Sequence, residues 1–309
     1  MTEEIPPGQE ASSGAEAAGD GRGTATRFFL LPLLVVATAV GIFWVFSRMT
    51  FERRSPADYL QEVRGGSANR RWQAAFELSR SLQNLDPAER AALAGETLRI
   101  FASLSASRPE DVPVRRYLAL VLGKLGDRQA VDALVTSTED PDADTRLYAV
   151  WALGKLGDPR ALAAVTEASF SEDAGMRKMA AYVLGQLSDR AAAPRLRVLL
   201  GDSVADVRWN SAIALASLSD PSGLPVLRSM IDREALARQA ALSGDQAETA
   251  MIGALKALAL LRDEGSLLLL EKVSREDPNL RVRAAAREAI AATRAGVSNL
   301  ERRGKLLIG

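Results

Sequence analysis

Histidine and cysteine are both absent from the 309-residue chain. Without histidine there is no imidazole general base, no Ser-His-Asp triad and almost no transition-metal site. Without cysteine there is no disulfide, thiolate nucleophile or Cys-ligated metal. Aromatic residues make up only 5%, against abundant Ala, Leu and Arg, a balance that favours helix over strand. Net charge is lacking too, since Lys+Arg and Asp+Glu both number 39, so no global field points to nucleic acid. No phosphate-binding loop, paired catalytic carboxylates or dense Lys/Arg block can be read from the sequence. These absences remove most enzyme classes, and the chain is expected to be non-enzymatic, with no cofactor, metal or nucleic-acid partner.

Residues 1–27 are rich in Glu, Gly, Ala and Ser without apolar periodicity, the pattern of a disordered acidic tail. The charge-free run FFLLPLLVVATAVGIFWVF, Phe28 to Phe46, comes next. At 1.5 Å per residue it reaches roughly 28 Å, close to a hydrocarbon core. Arg27 and Arg48 flank it, Trp44 sits near one end, and Pro32 falls in the first turn, where it is tolerated. The sequence ATA at Ala37–Ala39 weakly resembles a signal-peptidase site, but the apolar run continues beyond it. A retained transmembrane helix over 28–47, with contact to the membrane through 28–46, is therefore expected, then a juxtamembrane linker at 48–54. Arg22 and Arg27 precede the span, whereas Arg48, Arg53, Arg54 and then Arg64 come after it, which places the C-terminal domain on the cytoplasmic side.

Beyond the anchor one helical phrase recurs. VRRYLALVLGKLGD begins at Val114, TRLYAVWALGKLGD at Thr145, MRKMAAYVLGQLSD at Met176 and VRWNSAIALASLSD at Val207, a constant period of 31. Internal similarity at such a period is the mark of a stacked solenoid. Leu122, Leu153, Leu184 and Leu215 share a column, as do Leu125, Leu156, Leu187 and Leu218, at the spacing of one helical face. Gly123, Gly154 and Gly185 align with Ala216, small residues that let neighbouring helices approach. Gly126 and Gly157 stand where a helix ends in positive φ, and Asp127, Asp158, Asp189 and Asp220 come next as caps of the next helix. Each unit is a pair of short antiparallel helices, neither able to bury its face alone. Looser copies extend the array from 55 to 295, with an insertion after Asp220 that delays the next closing acid to Asp263. About seven pairs result, and then a basic tail at 296–309.

The pattern D-x-x-x-R-x-x-A-x-x-x-L-G-x-L-G-D resembles bacterial HEAT-like repeats, especially the short subtype of phycobilisome-lyase-like proteins, over residues 112–227 and more loosely from 55 to 294. The resemblance implies an all-α fold, a right-handed α-solenoid of helix pairs, and a role in binding other proteins. With the apolar run, the solenoid is expected to be preceded by one transmembrane helix and to sit at a bacterial inner membrane. Some relatives of this type are enzymes: bilin lyases, an iron-dependent deoxyhypusine hydroxylase and HEAT-like DNA glycosylases. A lyase-like or other small-molecule-binding protein is thus the alternative, but the paired His-Glu motifs of the iron enzymes have no counterpart.

Two sets of residues stand out. Arg115, Arg146 and Arg177 each come four residues after an acid, Asp111, Asp142 and Asp173, and Arg208 continues the column without one. The resemblance implies a structural ladder between repeats; an anion-binding stripe is the competing reading. Arg116, Tyr117, Leu120, Lys124, Tyr148, Trp151, Lys155, Lys178, Tyr182 and Trp209 lie off the invariant Leu face and vary between copies. They could line a groove for a partner helix or peptide, or fill space between repeats. The basic residues from Arg281 onward could touch anionic lipid or form a solvated cap.

Overall fold

A computed structural model describes residues 31–50, 54–240 and 242–308 of the chain. Two units result, Met1–Arg54 and Ser55–Gly309. In the first, α1 spans Leu31–Thr50. Its large apolar side chains from Leu33 to Val45 are exposed, Phe43 by 72%. The expected acidic tail and residues 28–30 and 51–53 lie outside the described residues. Among the described residues no helix is long and apolar enough to cross a membrane.

The second unit is all-helical among its described residues, as the sequence predicts for an α-solenoid. α2 (Pro56–Gly65) pairs with α3 (Ala68–Arg80), and α4 (Pro87–Ser103) with α5 (Val112–Leu125). α6 (Val131–Ser137) pairs with α7 (Ala143–Leu156), α8 (Leu162–Ala168) with α9 (Ala174–Leu187), and α10 (Ala193–Leu199) with α11 (Ala205–Ser217). α12 (Leu224–Met230) pairs with α14 (Gly244–Leu261), with the short α13 (Arg233–Gln239) inserted between them. α15 (Leu267–Glu276) and α16 (Leu280–Ile308) close the array, α16 running on through the segment read as a tail. The second helices stack in order, α3 on α5, then α7, α9, α11, α14 and α16.

Local chemistry sets these boundaries. Ser55 with Asp58, Asp86 with Glu89, and Ser243 with Gln246 form capping boxes that satisfy helix-start N–H groups. α5 and α7 stop at Gly126 (φ +78°) and Gly157 (φ +58°), the left-handed conformation that glycine adopts without strain. Ser188 and Ser219 hold the same place in the next two copies, at φ 56° and 60°. The carboxylates of Asp127, Asp158, Asp189 and Asp220 then accept from the backbone N–H two residues on, starting a single 3₁₀ turn before each first helix. Leu153, Leu184 and Leu215 are wholly buried, and truncating any one to Ala would cost on the order of 2–5 kcal/mol. A Cβ at Gly123 would lie 2.7 Å from Ala152, and one at Gly185 2.7 Å from Ala214, so these glycines fix how closely consecutive repeats stack.

Candidate protein-binding face

The arginine column ties repeats together, but through different acids from those the sequence suggests. Among the described residues, none of the pairs Asp111–Arg115, Asp142–Arg146 and Asp173–Arg177 forms an ion pair. Arg115 instead makes a double contact with the buried Asp140 (3.0 and 2.7 Å), 25 residues on in the turn of the next unit. Arg177 repeats this with Asp202, again 25 residues on, at 2.7 and 3.0 Å. The corresponding residue for Arg146 is Ser171, and that arginine donates to the carbonyls of Asp140 and Pro141 in its own turn. Arg208 caps the carbonyls of Asp202 and Ser203 and meets Gln239 of the inserted α13. The three acids act elsewhere. Asp111 pairs with Arg71 at 3.0 Å, Asp142 with Arg116, and Asp173 caps Gly175 N–H. The helix start places an acid four residues before its arginine, but that acid is spent on the N-terminal N–H groups or on the preceding repeat. Every arginine of the column is engaged within the fold, Arg115 and Arg177 with an acid in the turn of the next unit, Arg146 with carbonyls of its own turn only, and Arg208 with such carbonyls and Gln239.

Arg116 and Lys178 are engaged in the same way. Arg116 meets Asp142 at 2.6 Å and Asp144 at 3.3 Å, and Lys178 meets Asp206, each across to the next second helix. The Arg116 hydrogen bond holds the Asp142 carboxyl at about 2, well below its ordinary 3.8, against an opposing contribution from burial.

The rings and remaining cations form a different pattern. Phe76 lies under the Arg80 guanidinium (5.4 Å), and Trp151 under the Lys155 ammonium (5.4 Å), each pair four residues apart on one helix. Tyr182 accepts at its hydroxyl from Gln186, again four residues on, at 2.6 Å. Leu120 and Lys124 fill the equivalent places on α5, with the Lys124 ammonium on the Ser79 carbonyl at 2.6 Å. That carbonyl is in the last turn of α3, where a cation also meets the negative end of the helix dipole. Cation–ring contacts at such exposed sites contribute about 0.5–1 kcal/mol each. Between columns, Tyr117 meets Phe76 edge-on with ring centroids 5.2 Å apart. Tyr148 is half-buried, and this burial is the main reason its phenol is pushed above its ordinary value. Between α9 and α11 the stripe opens into a cavity of about 360 Å³ lined by Tyr182, Gln186, Asn210, Ile213 and Ser217 among others.

Nine of the ten candidate residues therefore remain at least partly accessible, and Tyr117, Leu120, Lys124, Tyr148, Trp151, Lys155 and Tyr182 fall on neighbouring turns of α5, α7 and α9. Trp209 does not belong with them. It is 4% exposed, packed in the second core cluster, and its indole N–H donates to Gln239 at 3.4 Å. The inserted α13 covers the place that stays at least partly open at Arg116, Leu147 and Lys178 in the earlier copies. Sequence reading missed Phe76, Arg80 and Gln186; the recurring ring-then-polar pair at a separation of four was the signal that could have found them.

Residues 102–174 and 168–244 match the family model of HEAT repeats. No curated protein matches the chain. Among solved structures, the complex of CpcE and CpcF of phycocyanin lyase from Nostoc is similar with a TM-score of 0.53 at 20% identity, covering 78% of this chain and 95% of that one. YibA of E. coli is similar with a TM-score of 0.50 at 13% identity, covering 76% of this chain and 82% of that one. At these identities the likeness is one of fold: the helix pairs from Ser55 onward form an α-solenoid, and the match to HEAT repeats lies within residues 102–244 of it.

Proposed function

We propose that this chain is a non-enzymatic, membrane-anchored scaffold of the bacterial inner membrane that docks a partner protein on the face built by α3, α5, α7, α9 and α11. The observation that carries the docking role is the ring stripe. Buried Leu columns repeat with little change, while Phe76, Leu120, Trp151, Tyr182 and Ile213 differ at every copy and stay partly open to solvent. Side chains selected only for stacking would be expected to repeat as the core does; large amphipathic rings at an open face suit recognition. The solved CpcE–CpcF structure is itself a complex of two chains, which agrees with a protein-binding use of the fold. The anchor rests on the charge-free run from Phe28 to Phe46 and on the exposure of α1's apolar side chains, a surface that water alone would not favour. The excess of arginines after the run favours the cytoplasmic side for the solenoid.

A photo-crosslinking residue at position 155, compared with one at Leu268 on α15, tests the docking role in intact cells. Leu268 is 84% exposed and lies on a first helix, away from the stripe. A discrete crosslinked protein from position 155 alone, lost when Trp151 and Tyr182 are both changed to Ala, is the expected result. No product, or the same products from both positions, would overturn it. The anchor predicts retention in membranes after alkaline carbonate and release on removal of residues 1–54; carbonate extraction of the full chain would refute it. A lyase-like, small-molecule reading takes its support from the similarity to the phycocyanin lyase complex and from a cavity of about 680 Å³ between α2 and α4, lined by Leu60, Leu93, Arg64, Glu96 and Arg99 among others. It predicts a ligand or chromophore retained on purification.

A further inference from the structure

The column four residues after the rings changes character along the array. It reads Arg80, Lys124 and Lys155, then Gln186 and Ser217, and in the lengthened pair Leu260, which is 64% exposed. The three cations contact two rings and a carbonyl, and among the described residues none of them is ion-paired to a carboxylate. The carboxylates at the edge of this face, Asp142, Asp144 and Asp206, are already held by Arg116 and Lys178. From α3 to α7 the face thus keeps uncompensated positive charge over aromatic surface, and on α9 and α11 the column is neutral near the apolar Ile213, before the exposed Lys256 of α14.

We infer that the docked segment, on the reading that this face binds a partner protein, is an amphipathic helix of that partner, acidic at one end and apolar at the other, laid along the stack. Charge complementarity assigns its carboxylates to Arg80, Lys124 and Lys155 and its apolar end to the surface around Ile213. The spacing agrees. Packed helices lie 8–10 Å apart, so cations on consecutive repeats are separated by about that distance, and residues seven apart on a helix are separated by about 10 Å. A helix also suits the polar groups available. An extended peptide must find partners for its own N–H and C=O groups. On this face Gln186 is bonded to Tyr182, and Asn210 to the Asp206 carbonyl. A helix satisfies its backbone internally and asks only for side-chain contacts.

Selection from a displayed library of helical peptides of about seven turns, long enough to run from Arg80 to Ile213 at that spacing, on the full chain in detergent, tests this directly. Enriched sequences should carry Asp or Glu seven apart at one end and apolar residues at the other. The double variant Lys124→Glu, Lys155→Glu should bind those peptides about tenfold or more weakly at low salt, with a smaller difference at high salt, and should itself enrich Lys and Arg. Lys124→Gln with Lys155→Gln gives the intermediate case and guards against misfolding in the reversed variant. Enrichment of basic or uncharged peptides, no enrichment, or equal binding to the reversed variant would overturn the inference. A peptide of residues 1–27 binding more tightly than any selected sequence would also overturn it, assigning the face to the tail of a second copy. The crosslink from position 155 separates the two levels. If it persists while the selection is not acidic, the face docks its partner by other chemistry and only this inference falls; if both fail, the docking role falls with it.

Discussion

Trp151 and Trp209 lie on second helices two repeats apart, yet one is half-open and the other is 4% exposed. The two are not equivalent positions, since Trp209 aligns with Leu147 and Trp151 with Ile213. Leu147, however, is half-buried where Trp209 is closed, and that difference lies in the connection that leaves each helix. Between α7 and α9 the chain returns through α8 at the strict period. After α11 it makes the extra helix α13, whose Gln239 reaches both Arg208 and the Trp209 indole. In the regular stretch two of the three arginines form ion pairs, Arg115–Asp140 and Arg177–Asp202, and Arg146 between them bonds only to carbonyls of its own turn. At the insertion the rung becomes an arginine on a neutral amide, and a new pair, Arg233–Asp277, starts from the inserted helix itself. The two hydrophobic clusters meet here as well, with residues of α11 shared between them. A strict period brings the arginine and the opening back at each copy, although Ser171 leaves Arg146 without an acid. One insertion replaces both locally while the Leu core runs on through it.

The sharpest way to break this comparison is at the rungs. Arg115 and Asp140 are 11% and 1% exposed at their side chains, so Arg115→Ala leaves a buried carboxylate without its cation. A loss of about 3 kcal/mol is expected, the range for removing one partner of a buried pair. Arg208→Ala deprives only backbone carbonyls and a neutral amide, and about 1 kcal/mol is expected. Chemical denaturation of the two variants measures the difference. Equal losses would mean that the ion pair adds nothing beyond the hydrogen bonds that both arginines make.

What the sequence displays and what it hides divide along the same line. The helix pairs, the Leu columns, the glycine ends and the capping acids recur with the period, so they are legible directly. That the arginines recur in one column is readable as well. Which acid each one meets is not. Asp140 and Asp202 lie 25 residues downstream in the turn of the next unit, and only stacking brings them close. Trp209 misleads because its column is aligned with accessible positions, and nothing in its own helix signals that α13 folds over it. The stripe of Phe76, Trp151 and Tyr182 is half visible, since the rings stand out but their partners four residues on require the face to be seen.

The glycines offer a second contrast, of somewhat smaller size. A Cβ at Gly185 would come 2.7 and 2.8 Å from the Ala214 Cβ and Cα, and backbone cannot easily move away. Gly185→Ala should therefore destabilise by about 2 kcal/mol, as overpacking does. In the lengthened pair, Gly253 would meet only the end of Ile213, at 3.3 Å from its Cδ1. That methyl can shift, and replacing a mid-helix glycine by alanine returns about 0.5–1 kcal/mol of helix propensity. Gly253→Ala should be neutral or stabilising by about a few tenths of a kcal/mol. Thermal unfolding of both distinguishes tight stacking in the regular repeats from looser stacking beyond the insertion.

Acid sharpens the distinction between charged and neutral contacts. The Asp142 carboxyl sits at about 2 against an ordinary 3.8, chiefly through the Arg116 hydrogen bond. Its folded-state value is lowered, so the stabilisation is complete above about pH 4 and is lost as pH falls towards 2. Arg116→Leu, which copies Leu147 of the next repeat, should flatten that part of the stability–pH curve relative to the unaltered chain. The contact between Arg208 and Gln239 has no proton to take up, and Arg208 acts only as a minor charge on Asp202, so Arg208→Leu should change the slope over the same interval less than Arg116→Leu does. A slope unaffected by Arg116→Leu would show that other lowered carboxyls, such as Asp202 on Arg177, account for all of the acid sensitivity.

The smallest expected effect lies at the helix ends. Gly126 and Gly157 take positive φ freely, whereas Ser188 and Ser219 hold φ 56° and 60° with a Cβ present. A left-handed non-glycine residue costs about 1 kcal/mol, and glycine returns part of that gain through its larger freedom in the unfolded chain. Ser188→Gly should then stabilise by about 0.5 kcal/mol, a rise in Tm of only about one or two degrees for a domain of this size. Gly157→Ser should destabilise by up to about 1 kcal/mol. Opposite signs at two equivalent ends would show that backbone conformation alone governs the turn. If Ser188→Gly destabilises, the serine hydroxyl, which lies 3.4 Å from the Gln186 carbonyl, is holding the turn beneath the stripe where Gln186 meets Tyr182. That turn would then belong to the face and not merely to the stack.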